Sequence, residues 1–262
     1  MFSTLALIII TCIVSFRGIH DNSFLERYAF SVEQITTPQQ YYRFISSGFL
    51  HINWLHLIVN MFVLWAFGSG LEVSIGVLPY LLIYFSSMVG GNLLALIIHL
   101  HHKGYTSVGA SGAIAGLVFA SIALTPGLQI FFLPAWVFGI AYVFYTLYAI
   151  RSRRTDVGHA AHLGGALIGM IIAILLFPHT LQNNLLPLLG ILLPGIILLF
   201  ILIKKPDFIL IDKNMQEKQL TIDDRYHLSK HHKEEEIDRI LDKINKKGFN
   251  SLTNEEKNTL KK

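Results

Sequence analysis

Seven stretches of the chain run almost unbroken in apolar residues, at about 2–18, 54–71, 77–98, 108–125, 129–150, 158–177 and 185–203. Each approaches the roughly 20 residues that a helix needs to cross a bilayer. The pattern predicts an all-α, polytopic membrane helical bundle. The last stretch ends at Lys204-Lys205, whose ammonium groups can snorkel to the interface. No basic residue precedes the first stretch and no small-x-small site follows Ser15-Phe16-Arg17, so it reads as a retained helix rather than a signal peptide. The longest connection, 19–53, holds Tyr28, Phe30, Tyr41, Tyr42, Phe44 and Phe49. Such a loop is expected in or on the membrane interface. Gly109 to Gly116 and Gly164 to Gly169 are rich in small residues, which marks their helices for close packing at the centre of the bundle.

Charge divides the chain in two. Residues 1–203 carry 7 Lys/Arg and 5 Asp/Glu, whereas residues 204–262 carry 14 and 12. Overall 53% of residues are hydrophobic and 15% charged, against about a quarter charged in soluble domains. A single soluble globule and a disordered chain are excluded. Nucleic acid is not expected as a partner, because the pI of 9.1 comes from a thin surplus in both halves and no basic stripe is interleaved with aromatics. Residues 204–262 read as a charged, soluble helical tail. Ile237, Ile240, Leu241 and Ile244 recur at helical spacing, Gly248 is a stop, and Thr253 to Glu256 is a capping box. With so few apolar anchors the tail makes at most a small hairpin, suited to packing on a protein partner. The lone cysteine, Cys12, rules out an intramolecular disulfide.

Polar side chains inside membrane helices cost a few kcal/mol, so each needs a reason. His56 and Asn60, four apart, share one face of the second span. They fit either an interhelical hydrogen-bonded pair or two donors aimed at one point. Ser111 opens the fourth span between Gly109 and Gly112, which clear room for a substrate backbone; a membrane serine that bonds back to its own helix is the plainer reading. The sixth span opens Gly158-His159-Ala160-Ala161-His162, and Gly165 and Gly169 form a close-packing pair. Zinc on His56, His159 and His162 is disfavoured, since no carboxylate lies in these spans to complete or orient a site. No metal site and no cofactor are expected. His99, His101 and His102 sit beside Lys103 and read as interfacial, like His231 and His232 in the tail.

A serine becomes a nucleophile when a base takes its proton, and His162 is the available base. Asp156, six residues before it, belongs to the preceding loop, so a Ser–His dyad is favoured over a triad. The oxyanion then needs donors, which His56, Asn60 and the Ser111 N–H could supply. All these residues lie near helix starts on one side of the membrane, a little below the surface, where water can reach them.

At these positions the sequence resembles the rhomboid family of intramembrane serine proteases. The resemblance rests on His56-x-x-x-Asn60, Gly109-x-Ser111-Gly112 and Ala161-His162-x-x-Gly165, with Tyr42-Arg43 similar to the family's Trp-Arg element and Glu72 after the second helix. It covers about residues 1–177. It implies a catalytic dyad of Ser111 and His162, an oxyanion hole of His56, Asn60 and Ser111, no cofactor, and transmembrane protein substrates met within the lipid bilayer. It also implies a six-helix core, so residues 1–178 form a rhomboid-like unit and 179–203 an added seventh helix. The tail from about Glu234 to Leu260 is similar to a segment of Bacteroidetes-type rhomboids, which places the chain in a bacterial inner membrane. One departure is Ala115, where some members stack an aromatic on the catalytic histidine.

Two further readings compete. A catalytically silent rhomboid-like protein that binds membrane clients would lack the serine or the histidine, and both are present. A small transporter would carry ionisable groups near span centres. Topology contains a conflict: every Lys and Arg lies on the side of loops 19–53, 99–107 and 151–157, which the positive-inside rule makes cytoplasmic. The resemblance makes the same side extracytoplasmic and is preferred for the active-site face; the side of the tail stays open.

Overall fold

Helix α1 (Phe2–His20) buries Thr4, Leu7, Thr11, Ser15 and Gly18, while Leu5, Ile9, Ile13 and Phe16 point outward. This inverts the pattern of a soluble helix. Lipid tails are as apolar as leucine, so the packed face is chosen for small side chains that let backbones approach. The computed structural model describes residues 2–130, 132–151 and 158–204, together with 240 and 243.

The 19–53 connection is folded rather than an open loop. It forms α2 (Asn22–Tyr28), β1 (Phe30–Ser31), α3 (Val32–Thr36), α4 (Arg43–Ser46) and a 3-10 turn over Ser47–Phe49. Phe30, Val32 and Ile35 are buried with Ala95 and Ala160, so its apolar residues form a small core of their own. Tyr41 and Tyr42 stay exposed, as interfacial aromatics would. Arg43 is buried and spends its guanidinium on the carbonyls of Glu26 and Ala29 and on Gln40 Oε1. Strand β2 (Thr106–Ser107) pairs antiparallel with β1 and ties this segment to the chain that enters the fourth apolar helix.

The second span runs through α5 (Trp54–Val63), a π-helical turn (Leu64–Gly68) and α6 (Ser69–Ile75). Glu72 therefore lies inside this span rather than after it. Its carboxylate accepts the N–H groups of Ser3 and Thr4 and the Thr4 hydroxyl, which caps the start of α1. Gly76, at φ +83°, reverses the chain into α7 (Val77–His99).

Helices α8 (Ser111–Leu124) and α9 (Ala135–Arg151) are shorter than the stretches 108–125 and 129–150 predict. Fourteen residues span about 21 Å, short of a hydrocarbon core about 30 Å thick. Every residue of α8 from Gly112 to Ala123 is buried, so protein rather than lipid surrounds the body of the helix. Non-helical backbone is tolerated at membrane depth only under such cover. Between these two helices, β3 (Gln129–Ile130) and β4 (Leu133–Pro134) form a short hairpin where the apolar run predicts helix. Helix α10 (His159–Leu176) follows, then α11 (His179–Lys204), which bends at Asn184. Among the described residues, five helices are long and apolar enough to cross a membrane: Phe2–His20, Trp54–Ile75, Val77–His99, His159–Leu176 and Asn184–Ile201. The protein is a multi-pass helical membrane bundle.

Helices α7, α8 and α10 meet backbone to backbone. A Cβ on Gly165 would fall on the Gly112 carbonyl oxygen, one on Gly169 on that of Gly116, and one on Gly91 on that of Ala161. Helix α11 packs outside this centre, with Ile191 seated against Gly139 of α9 and Leu167 of α10 against Gly195. The chain divides into two compact units, 1–210 and 211–262. In the second, Ile240 and Lys243 are helical; Ile237, Leu241, Ile244, Gly248 and the Thr253–Glu256 capping box lie outside the described residues.

Candidate active site

Three helices begin at the same place, and each contributes its first turns. Helix α5 starts after Asn53, whose Oδ1 accepts the His56 N–H at 2.8 Å. This cap sets His56 in the first turn and Asn60 one turn further on. Helix α8 starts at Ser111, and α10 starts after Gly158, whose carbonyl accepts the His162 N–H. The serine and the histidine thus sit on two helices held together by the Gly112–Gly165 contact.

Ser111 Oγ and His162 Nε2 are 2.6 Å apart, a short hydrogen bond between partly buried side chains. Gly109 precedes them at φ +135°, a conformation an L side chain rarely adopts. A methyl group there would sit 2.9 Å from His56 Cε1, 3.1 Å from His56 Nε2 and 3.6 Å from Ser111 Oγ. The His56 ring and the serine hydroxyl therefore border the same small space. The first N–H groups of α8 have no partner within the helix and carry its positive dipole end to this point. Asn60 is buried and donates one Nδ2 hydrogen to the His56 carbonyl at 2.9 Å, leaving the other for a ligand. The arrangement offers a hydroxyl with a base, beside the His56 ring and the start of α8.

Of the other sequence candidates, Gly112 and Gly165 make the helix contact beside the dyad, and Gly169 makes the next one along. His159 is buried, edge-on to Tyr145 at 5.9 Å and to His162 at 6.1 Å. Ala115 is buried within α8. His99, the last residue of α7 rather than part of the loop after it, stacks on Tyr105 at 3.8 Å. Among the described residues no three His, Cys, Asp or Glu side chains gather as a metal-ligand set. Asp156 lies outside the described residues.

Sequence reasoning missed a layer behind these residues. His51, fully buried in the turn before α5, places Nδ1 2.9 Å from Ser15 Oγ, and the Ala110 N–H points at its Nε2 from 3.4 Å. Ser15 Oγ also donates to the Phe49 carbonyl. The His51 ring lies edge-on to His56, with centroids 4.8 Å apart. Burial, with a smaller contribution from charge on His56, pushes the His51 pKa down to about 3, so the ring is neutral. Beside it the Gly109 N–H donates to the Ser47 carbonyl, and Asn92 of α7 donates to the Phe44 carbonyl and Ser47 Oγ. The spacing of Thr4, Thr11, Ser15 and Gly18 along α1 is the signal that could have marked Ser15 as facing inward.

Residues 38–179 match the Rhomboid domain, and residues 220–262 match a family of unknown function, DUF6576. The chain is 31% identical over 163 residues to Rhomboid-like protein 11, chloroplastic, of Arabidopsis thaliana, covering 55% of this chain and 56% of that protein. It is 32% identical over 158 residues to Rhomboid protein 1, mitochondrial, of Saccharomyces cerevisiae, covering 56% and 45%. With human Presenilin-associated rhomboid-like protein, mitochondrial, it shares 33% over 132 residues, covering 47% and 35%. The chain thus spans about half or less of the length of these relatives.

Proposed function

The chain belongs to the rhomboid family, and on that footing we propose that it is an intramembrane serine endopeptidase that cuts peptide bonds in or near transmembrane segments of other proteins. The single observation that carries this reading is the 2.6 Å contact between Ser111 Oγ and His162 Nε2. In the reaction His162 Nε2 takes the Ser111 proton as Oγ bonds to the scissile carbonyl carbon. The carbonyl oxygen becomes an oxyanion facing the Ser111 N–H, His56 and Asn60. His162 returns the proton to the leaving amine, and the C–N bond breaks. Water then attacks the acyl carbon, giving its proton to His162; the C–Oγ bond breaks and His162 returns the proton to Ser111 Oγ.

Substrates on this reading are single-span proteins whose helix unwinds near its end and has small residues at the cut, because glycines flank Ser111. The active-site face is extracytoplasmic. The sequence of the tail, read as resembling Bacteroidetes-type rhomboids, motivates placing the protein in a bacterial inner membrane. The relatives named above are mitochondrial and chloroplastic, so fractionation of the native host is the measurement that decides the membrane.

The test is labelling of the purified full-length protein with a serine-reactive fluorophosphonate. Labelling should occur in the wild type and vanish in Ser111→Ala and His162→Ala. Labelling that survives Ser111→Ala sinks the dyad. A folded wild type that does not label favours the client-binding reading.

A further inference from the structure

We propose that His51 is a positioning residue for the nucleophile: by accepting the Ala110 N–H it fixes the Gly109–Ala110 peptide that delivers Ser111 and the start of α8 to the site. The inference rests on reading Ser111 as the nucleophile.

Ser111 is the first residue of α8, so its placement depends on the peptide before it. That peptide is non-helical, with Gly109 at φ +135°, and Ala110 is fully buried, so its N–H donors must find acceptors within the protein. Two acceptors do so: the Ser47 carbonyl takes the Gly109 N–H at 3.0 Å, and His51 Nε2 faces the Ala110 N–H at 3.4 Å. The acceptor role requires the tautomer with hydrogen on Nδ1. The rest of the network agrees, since Ser15 Oγ gives its own hydrogen to the Phe49 carbonyl and so accepts from Nδ1. A chain of bonds therefore runs from α1 through His51 to the residue preceding the nucleophile. The same ring lies edge-on against His56, which borders the Ser111 hydroxyl, so one fully buried side chain touches both sides of the site. The main chain of Ser47 has no choice of partner at that point, whereas a substitution can remove the acceptor at 51.

Two amides separate this role from general support of the fold. Glutamine reaches the Nε2 position with an oxygen, so His51→Gln keeps an acceptor for the Ala110 N–H. Asparagine reaches only the Nδ1 position, so His51→Asn keeps the tie to Ser15 and leaves the Ala110 N–H unpaired. The experiment measures fluorophosphonate labelling rates and melting temperatures of the full-length protein in detergent, with Ser111→Ala as the blank. The expected result is His51→Gln within about twofold of wild type and His51→Asn slower by about 10- to 100-fold, at similar melting temperatures. Equal labelling of His51→Asn and wild type overturns the inference, as does a rate that follows melting temperature rather than the acceptor. Should the variants at 51 not fold, Ser15→Ala frees the ring at Nδ1 and should slow labelling severalfold, with Ser15→Thr restoring it. An unchanged rate in Ser15→Ala then overturns the inference. Failure of the wild type to label defeats the protease reading instead, so the two failures are distinct.

Discussion

Replacing Gly165 with alanine would test whether the glycine seam sets the dyad geometry. The new Cβ would fall on the Gly112 carbonyl oxygen, with Gly112 Cα at 3.1 Å. Both obstacles are backbone, so no side chain can swing aside, and α8 and α10 must part. Restoring an ordinary contact of about 3.4 Å to that oxygen takes a displacement of more than about 1 Å at this level. Gly112 adjoins Ser111, and Gly165 lies one turn from His162, so the separation falls directly on the 2.6 Å bond and carries it past hydrogen-bonding range. Overpacking should cost about 1–3 kcal/mol of stability. The misplacement should cost about 100-fold in the labelling rate of Ser111. Gly169→Ala meets the Gly116 carbonyl two turns from His162 and should lose similar stability with a smaller loss of rate. Gly70→Ala serves as the control, because nothing lies within 4 Å of a Cβ there; it should label normally and gain up to about 1 kcal/mol. The assay is fluorophosphonate labelling beside thermal unfolding in detergent. A Gly165→Ala protein that labels at the wild-type rate, or a Gly169→Ala protein equally slowed, refutes the reasoning.

Further perturbations separate chemistry from support. Gly109→Ala forces a side chain into φ +135° and against His56, so a strain of about 1–3 kcal/mol and a loss of labelling are expected from the same two assays. Glu72→Gln removes a carboxylate that caps α1 and should lower unfolding stability by about 1–3 kcal/mol. Glu72 sits sixteen residues along its span from His56, about 24 Å of helix, so the folded fraction should label normally. The depressed His51 pKa makes stability depend on pH. Below its ordinary 6.5 the unfolded chain binds a proton that the folded one refuses until about pH 3, so the contribution is full above 6.5 and is lost as pH falls toward 3. The titratable group facing it, His56, pushes the same way when charged. The unfolding free energy across this window should fall less steeply for His51→Gln than for wild type, by up to about 1.4 kcal/mol per pH unit; parallel curves would contradict it.

Hydropathy alone locates the long apolar helices of this protein, because lipid accepts few polar residues and each of the seven apolar stretches overlaps one of them. The sequence also shows which residues could do chemistry. Ser111, His162, His56 and Asn60 stand out because a polar side chain in a span needs a reason, and glycines beside them foretell close packing. Hydropathy does not show where α8 and α9 begin and end. A helix surrounded by protein and one surrounded by lipid are equally apolar, so only packing reveals that α8 starts at Ser111 and that β3 and β4 form a hairpin. Nor does the sequence show that the 19–53 segment has its own core, since Phe30 meets Ala95 and Ala160 from distant parts of the chain. The roles of His51 and Ser15 are hidden for the same reason, although spacing along α1 turns Ser15 inward. Each is an ordinary polar residue along the chain, thirty-six positions apart, and each acquires a role only when α1 and the turn before α5 converge behind the Gly109–Ala110 peptide. Composition and spacing decide what enters the membrane; the backbone-to-backbone contacts of α7, α8 and α10 decide that the serine and the histidine meet, because that distance depends on how closely two glycine faces can approach.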